Sequence, residues 1–261
     1  MVAAGAGILK LCLYAVASIW KRDMLRLRRQ KSRLLGSLFA PFFLLAFLGL
    51  GFRRAGLPGM DTDYLSFLTP GMMAMTLLSA SNSTSFLMLW DREKGFLKEI
   101  MVTPISRLSI ILGRSSVGIT NAIIQSMIIL LAGLVMGMSI SGATGLLLSF
   151  VFVIFIASTF IGLGLTLASF LKDTFSFGLI LNFILYPFLF LSGALYPVDR
   201  FPPYIAQFSY LNPLTYGIDG LRYSLLGASS FNPVLDLGVM VISCAAMLGL
   251  GTYLFEISEW E

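Results

Sequence analysis

The chain has 261 residues, of which 57% are apolar and 12% are charged, and its mean hydropathy is +0.88. This composition excludes an ordinary soluble domain and predicts a polytopic helical membrane protein, in which each segment satisfies its own backbone hydrogen bonds. The formal charge of +5 does not indicate nucleic acid, because the basic residues lie beside apolar runs, where they suit a membrane surface.

The first 33 residues predict an amphipathic helix that lies in the cytoplasmic membrane interface. Val2 to Trp20 is apolar but has Lys10 near its middle and no charged segment before it, so we do not expect a signal peptide. Seven basic residues crowd between Lys21 and Arg33, and apolar residues recur at three- and four-residue spacing. The alternative is a seventh span, which the cost of a central lysine disfavours.

Six apolar runs predict six membrane-spanning helices and an all-α fold without a separate soluble domain. Several polar residues lie within these spans. They either line a route for cargo or make ordinary hydrogen bonds between helices, and the sequence leaves both open. The predicted spans are residues 34–52, 66–90, 108–136, 145–171, 175–195 and 235–255, and the polar residues are Ser79, Asn82, Ser83, Asn121, Gln125 and Asn182.

A charged island, residues 91–104, separates the second and third spans. Wound as a helix, it has a polar side of both charge signs and a compact apolar stripe. Pro104 should end the helix, because its ring disfavours helix at Thr103 and lacks an N–H. Such a helix just outside the bilayer faces either lipid head groups or another protein. Its mixed charges favour a protein, because lipid-binding helices are usually rich in Lys and Arg. The stripe consists of Phe96, Leu97, Ile100 and Met101.

The segment between the last two spans, residues 196–226, is broken by prolines and carries five tyrosines. Two short amphipathic helices are predicted here, the first beginning at Pro203 and the second ending at Gly227. They suit either a re-entrant gate or a static aromatic belt near head-group depth, and the sequence alone leaves both open. The residues assigned to this predicted gate are Pro197, Pro202, Pro203, Tyr204, Phe208, Asn212, Pro213 and Tyr216.

The distribution of basic residues predicts the orientation. With the N-terminus inside, fourteen Lys and Arg residues lie on the inner side and four on the outer side. By the positive-inside rule, both termini and the charged island should be cytoplasmic, in a multi-pass protein of the cell membrane.

Missing residues limit the function. The chain has no histidine and no G-x-x-x-x-G-K-[ST] stretch, so we expect neither a hydrolytic triad, nor a metal site, nor ATP binding by this chain. No acidic or basic residue lies deep within a predicted span, which disfavours an ion-coupled secondary transporter or an acid-lined channel. With no buried charge expected, an amphiphilic drug, lipid or lipid-linked sugar suits the interior better than an ionic cargo.

Two stretches resemble the membrane permease subunits of type-2 ABC exporters. The first is REKGFLKEIMVTP, Arg92 to Pro104, which resembles their cytoplasmic coupling helix. The second runs from Leu191-Ser192-Gly193 through Leu211-Asn212-Pro213-Leu214-Thr215 to Asp219–Arg222, and resembles the outer segment between their last two spans. The resemblance covers most of the chain, and the two motifs occur in the same order as in this family.

The resemblance implies an ATP-driven exporter in which two permease protomers, identical or different, carry two ABC ATPase subunits that bind ATP and Mg²⁺. It favours the gate for residues 196–226. Polysaccharide export by the same family, a membrane scaffold and a secondary transporter are the alternatives. The residues that the resemblance assigns to ATPase contact are Arg92, Glu93, Gly95, Phe96, Leu97, Ile100, Met101 and Pro104.

Overall fold

The computed structural model describes residues 2–29, 31–52, 63–95, 107–171 and 173–258, and these are helical with no strand among them. The first span continues from α2 through a π-helical turn, Leu45–Gly49, a few residues after Pro41. A short 3-10 turn, Val198–Arg200, precedes α7. The α-helices are α1 Val2–Arg29, α2 Lys31–Leu44, α3 Tyr64–Glu93, α4 Arg107–Val135, α5 Ala143–Phe170, α6 Thr174–Leu191, α7 Pro203–Leu211, α8 Pro213–Leu226 and α9 Pro233–Ser258.

Within the described residues, five helical segments are long and apolar enough to cross a membrane. Many of their large apolar side chains are exposed, as lipid-facing residues would be. The protein is therefore a multi-pass membrane protein. The five segments are Ser32–Gly49, Ser109–Val135, Ala143–Phe170, Thr174–Leu191 and Pro233–Leu254.

The second predicted span, residues 66–90, lies in α3, which is long but not apolar enough to be counted with those five. It is instead the central helix, packed by α2, α4, α5, α6 and α8, and 19 of its 30 residues are buried. A helix that neighbours enclose has little contact with lipid, so serine and threonine can occupy positions where a lipid-facing helix needs hydrocarbon. Its hydroxyls bond to backbone carbonyls, as Thr76 does to Met73 (2.6 Å) and Ser81 to Ala157 of α5 (3.2 Å).

Among the described residues, α5 and α9 are the most extensively packed helix pair, and they meet at glycines. A Cβ atom built on Gly162 would lie 2.5 Å from the backbone carbon of Met247, and one on Gly251 would lie 2.5 Å from the Gly162 carbonyl oxygen. Each glycine therefore lets the other backbone approach, which is how small residues tighten helix pairs in membranes.

The start of α6 is fixed by a capping aspartate. Asp173 accepts hydrogen bonds from the backbone N–H groups of Ser176 (2.8 Å) and Phe175 (3.3 Å). These bonds, the one from Ser176 first, hold the pKa of Asp173 below its usual range because they favour the carboxylate. The Asp173 side chain thereby satisfies backbone N–H groups in the first turn of α6.

The N-terminal segment is one continuous helix, α1, that packs along α4. The indole Nε1 of Trp20 donates to the hydroxyl of Thr120 on α4 (3.1 Å). α1 is not among the five segments that are apolar enough to span a membrane.

Candidate functional site

The end of α3 is tied to two other helices just before the chain enters the charged island. Arg92 donates to the carbonyl of Ala168 near the end of α5 (3.2 Å). At the start of α6, the Thr174 hydroxyl donates to the Glu93 carboxylate (2.9 Å). Asp91, Arg92 and Glu93 form the last turn of α3, and the chain turns at Gly95, whose φ is +76°. The predicted start of the coupling helix at Asp91 therefore falls within α3, and the part of the predicted helix after Gly95 lies outside the described residues.

The remaining coupling residues, Phe96, Leu97, Ile100, Met101 and Pro104, lie outside the described residues. α4 begins at Arg107, so the segment joins α3 directly to α4. Arg92 and Glu93 contact other helices of the chain itself. Their contact with an ATPase stays a prediction.

An ion triad with a buried Asp91–Arg114 pair lies at this end of the molecule. The Asp91 carboxylate accepts a bond from Arg114 Nη2 of α4 (2.6 Å) and one from Arg26 Nη1 of α1 (3.4 Å). Asp91 is 5% exposed and Arg114 4%, so the pair is shielded from water, whereas the Arg26 side chain is 41% exposed. The triad joins α1, α3 and α4 at the place where the coupling segment leaves the bundle.

The expectation of no buried charge is wrong. Asp91, Arg114, Asp219, Arg222 and Asp236 are each less than 10% exposed. Asp219 and Arg222 lie in α8, outside the predicted spans, and Asp91, Arg114 and Asp236 lie within about two turns of a helix end, so a search for charges deep within spans missed them. Arg114 could have signalled a buried charge, because it lies inside the predicted span 108–136, where an arginine needs a partner. The spacing of residues along the sequence does not identify that partner.

Four of the six polar residues predicted within the spans form two separate pairs. Asn82 of α3 donates to Asn182 of α6 (3.2 Å), and Asn182 is exposed. Asn121 and Gln125 are bonded to each other within α4 (3.0 Å) and are buried. Ser79 bonds to its own helix at Met75, and the carbonyl of Ser83 accepts a bond from Arg33. A cargo route along these residues stays a prediction.

Residues 196–226 contain one embedded helix and one exposed helix. α8 is mostly buried, and Arg222 anchors it by donating to the Gly193 carbonyl (2.6 Å) and lying over the Phe67 ring at 3.7 Å. Asn212 caps α8 at Leu214 (2.9 Å) and donates to the Phe188 carbonyl (2.7 Å).

By contrast, α7 presents exposed apolar side chains, with Tyr204 67% and Phe208 62% exposed. Of the other predicted gate residues, Pro202 and Pro203 are exposed, Pro197 and Pro213 are half-buried, and the Tyr216 hydroxyl donates to the Tyr210 carbonyl (2.9 Å). If this segment gates a pathway, α7 is the part with few contacts to break. The gate itself stays a prediction.

The bundle of long apolar helices defines a multi-pass helical membrane protein. The chain belongs to the ABC-2 type transporter family, whose model matches residues 14–226. It is 30% identical over 206 residues to a putative transport permease, ycf38, of Cyanophora paradoxa, covering 78% of this chain and 71% of that one.

Two further relatives extend over more of the chain. An inner membrane transport permease of Escherichia coli K12, YadH, is 26% identical over 245 residues, covering 89% of this chain and 91% of the relative. Nodulation protein J of Rhizobium leguminosarum bv. viciae is 27% identical over 230 residues, covering 86% and 87%. The resemblance seen in the sequence is thus confirmed at the level of the family, and the family in general implies an ATPase partner subunit.

Proposed function

We propose that the chain is the permease subunit of an ATP-driven exporter that moves an amphiphilic drug, lipid or lipid-linked sugar outward. Two such permeases, each with an ABC ATPase subunit, would form the complex, and ATP and Mg²⁺ would bind only to the ATPases. The observation that carries the proposal is the anchoring of the end of α3 to α5 and α6 through Arg92 and Glu93. A force applied to the segment after Gly95 would therefore reach three spans together.

The apolar stripe of the coupling segment supplies the proposed docking contact. A carboxylate placed in such a contact is desolvated without a partner, which is costly. We therefore expect Leu97→Asp to weaken ATPase association by at least about tenfold, which corresponds to about 1.4 kcal/mol. The measurement is co-purification of the full-length chain with its P-loop subunit from native membranes in mild detergent, followed by a binding titration.

Leu97→Met is the matched control, because it conserves volume and apolar character and should bind as the wild type does. Normal ATPase association by Leu97→Asp at normal expression would contradict the docking role. Absence of any stoichiometric P-loop subunit with the wild type would favour a scaffold instead.

We also infer that α3 crosses the membrane in addition to the five apolar segments, which gives six spans, and that both termini are cytoplasmic. Support comes from which helix ends are hydrogen-bonded to one another. The turn after α4 is bonded to the end of α8, where Ser141 N donates to the Leu225 carbonyl (2.9 Å). The end of α3 is bonded instead to the junction of α5 and α6, at the opposite ends of α4 and α5. The start of α3 lies beyond the far end of α6, where the Tyr64 hydroxyl donates to the Leu195 carbonyl (3.2 Å), which supports a helix that crosses the bundle.

Cysteine labelling tests this topology in a variant in which Cys12 and Cys244 are replaced by serine. Single cysteines at Ser141 and Ser229, both exposed, should react with a membrane-impermeant maleimide in intact cells. A cysteine at Lys94 should react only after the membrane is opened. External labelling at Lys94 would overturn the assignment and, with it, the cytoplasmic coupling contact.

A further inference from the structure

A polar cavity, which we call the arginine pocket, lies between α1, α2, α3 and α4 beside the ion triad. Arg26, Arg33 and Arg114 line it, and its polar floor is formed by Ser37, Asn121 and Gln125. The floor is ordered, since Ser37 donates to Gln125 (3.1 Å) and Gln125 donates to Asn121. Its volume of about 40 Å³ has room for about three water-sized groups, comparable with the free oxygens of one phosphate.

Positive charge exceeds negative charge in this pocket. Its two carboxylates are already engaged, Asp91 by Arg114 and Arg26, and Asp23 by Arg22 at 2.7 Å. Arg33 donates to the Ser83 carbonyl (3.0 Å) and contacts no carboxylate among the described residues. Buried Arg114 has its Nε without a hydrogen-bond partner. The excess of positive charge and the Arg33 guanidinium make the pocket suit an anion with several acceptor oxygens.

An apolar groove adjoins the pocket and shares two of its walls, Leu27 and Leu34. The groove has a volume of about 430 Å³, and its other apolar lining residues include Trp20, Met24 and Ile124. The pocket lies at the level where the first span begins, because Arg33 is the second residue of the apolar segment Ser32–Gly49. An anion site at head-group depth, continuous with a chain-sized apolar groove, matches an amphiphile.

We propose that the arginine pocket binds the phosphate group of an anionic phospholipid-type amphiphile, and that one of its chains lies in the adjoining groove. Arg33 and Arg114 bind the phosphate oxygens, and Ser37 and Gln125 form the polar floor beneath them. Free inorganic phosphate shares the head-group chemistry but would leave the groove empty. This site goes beyond the proposed export function and does not require an ATPase subunit.

The test is lipid retention by the purified full-length chain, measured by native mass spectrometry after exchange into detergent with phosphatidylglycerol or phosphatidylcholine of identical chains. The wild type should retain phosphatidylglycerol preferentially. Arg33→Gln should lower that retention about tenfold, the effect of losing one charge-assisted contact. Arg29→Gln is the matched control: it removes the same charge from an exposed residue outside the pocket and should leave retention unchanged.

Two further measurements keep the test decisive. Arg33→Lys keeps the charge but loses the planar fork, so it should fall between wild type and Arg33→Gln and shows whether a folded variant responds. Inorganic phosphate at high concentration should displace the lipid only weakly. Complete displacement would overturn the amphiphile assignment in favour of a free anion, and equal losses in Arg33→Gln and Arg29→Gln would reduce the site to diffuse surface charge. Because no transport is measured, either failure leaves the exporter proposal standing.

Discussion

Asp91→Leu is expected to destabilise the folded chain by about 3–5 kcal/mol, because it leaves a buried arginine without a counter-charge. Asp91 is the carboxylate that Arg114 contacts at 2.6 Å, and Arg114 is only 4% exposed. Arg26 can turn its exposed end towards water, but Arg114 cannot. The measurement is the free energy of unfolding, or the midpoint of thermal unfolding, of the purified chain in a fixed detergent.

The triad predicts an order among its variants. Arg114→Leu should cost less than Asp91→Leu, because Asp91 keeps Arg26 as a partner at 3.4 Å. The double variant Asp91→Leu with Arg114→Leu should recover much of the loss, since a buried pair replaced by apolar residues is often nearly neutral. Asp23→Leu is the control, because its pair with Arg22 is partly exposed and contributes at most about 1 kcal/mol. Equal effects of Asp91→Leu and Asp23→Leu would show that burial of the triad has no energetic weight.

Gly162→Val is expected to destabilise the chain by about 3 kcal/mol, at the upper end of the usual range for overpacking. A Cβ atom at this position would lie 2.5 Å from Met247 C, 2.6 Å from Leu248 N and 2.7 Å from Met247 O. All three are backbone atoms of α9, so no side chain can rotate to relieve the contact, and α5 and α9 must separate. A β-branched residue adds atoms that deepen the clash.

Gly249→Val is the matched control on α9, because a Cβ atom there meets nothing within 4 Å. Both substitutions remove a helical glycine, so they differ in the contact and not in backbone propensity. The unfolding midpoint of each variant, measured in the same detergent, checks the difference. Similar midpoints for Gly162→Val and Gly249→Val would mean that the α5–α9 contact is not close-packed in the protein.

The family assignment and the position of the ion triad constrain how the complex would work. The coupling segment leaves the bundle between α3 and α4, and the triad holds those two helices to α1 at the same end. Movement of the segment would therefore carry α1 with it. The arginine pocket lies within the same three helices and α2, so lipid bound there would be placed to respond to that movement.

The sequence by itself determined the class of protein, because the thickness of a bilayer and the cost of unsatisfied backbone groups leave a long apolar run few alternatives to a helix. It also gave the charged island, the broken outer segment and the family, since these are local patterns of residue type. The basic residues likewise predict an orientation, because the positive-inside rule depends only on residue type and position along the chain.

Only the tertiary structure decided which helix is central and which charges meet. The polar residues of α3 lower its hydropathy below that of the five apolar segments. Other helices bury α3, which explains why it can carry those polar residues. Arg26 and Asp91 are 65 residues apart, and Arg114 follows Asp91 by 23. Nothing local in the chain marks these three as partners, because helix packing, not sequence spacing, brings them to one place. The contribution of the triad to the free energy of unfolding depends on its burial, which exists only in the assembled bundle.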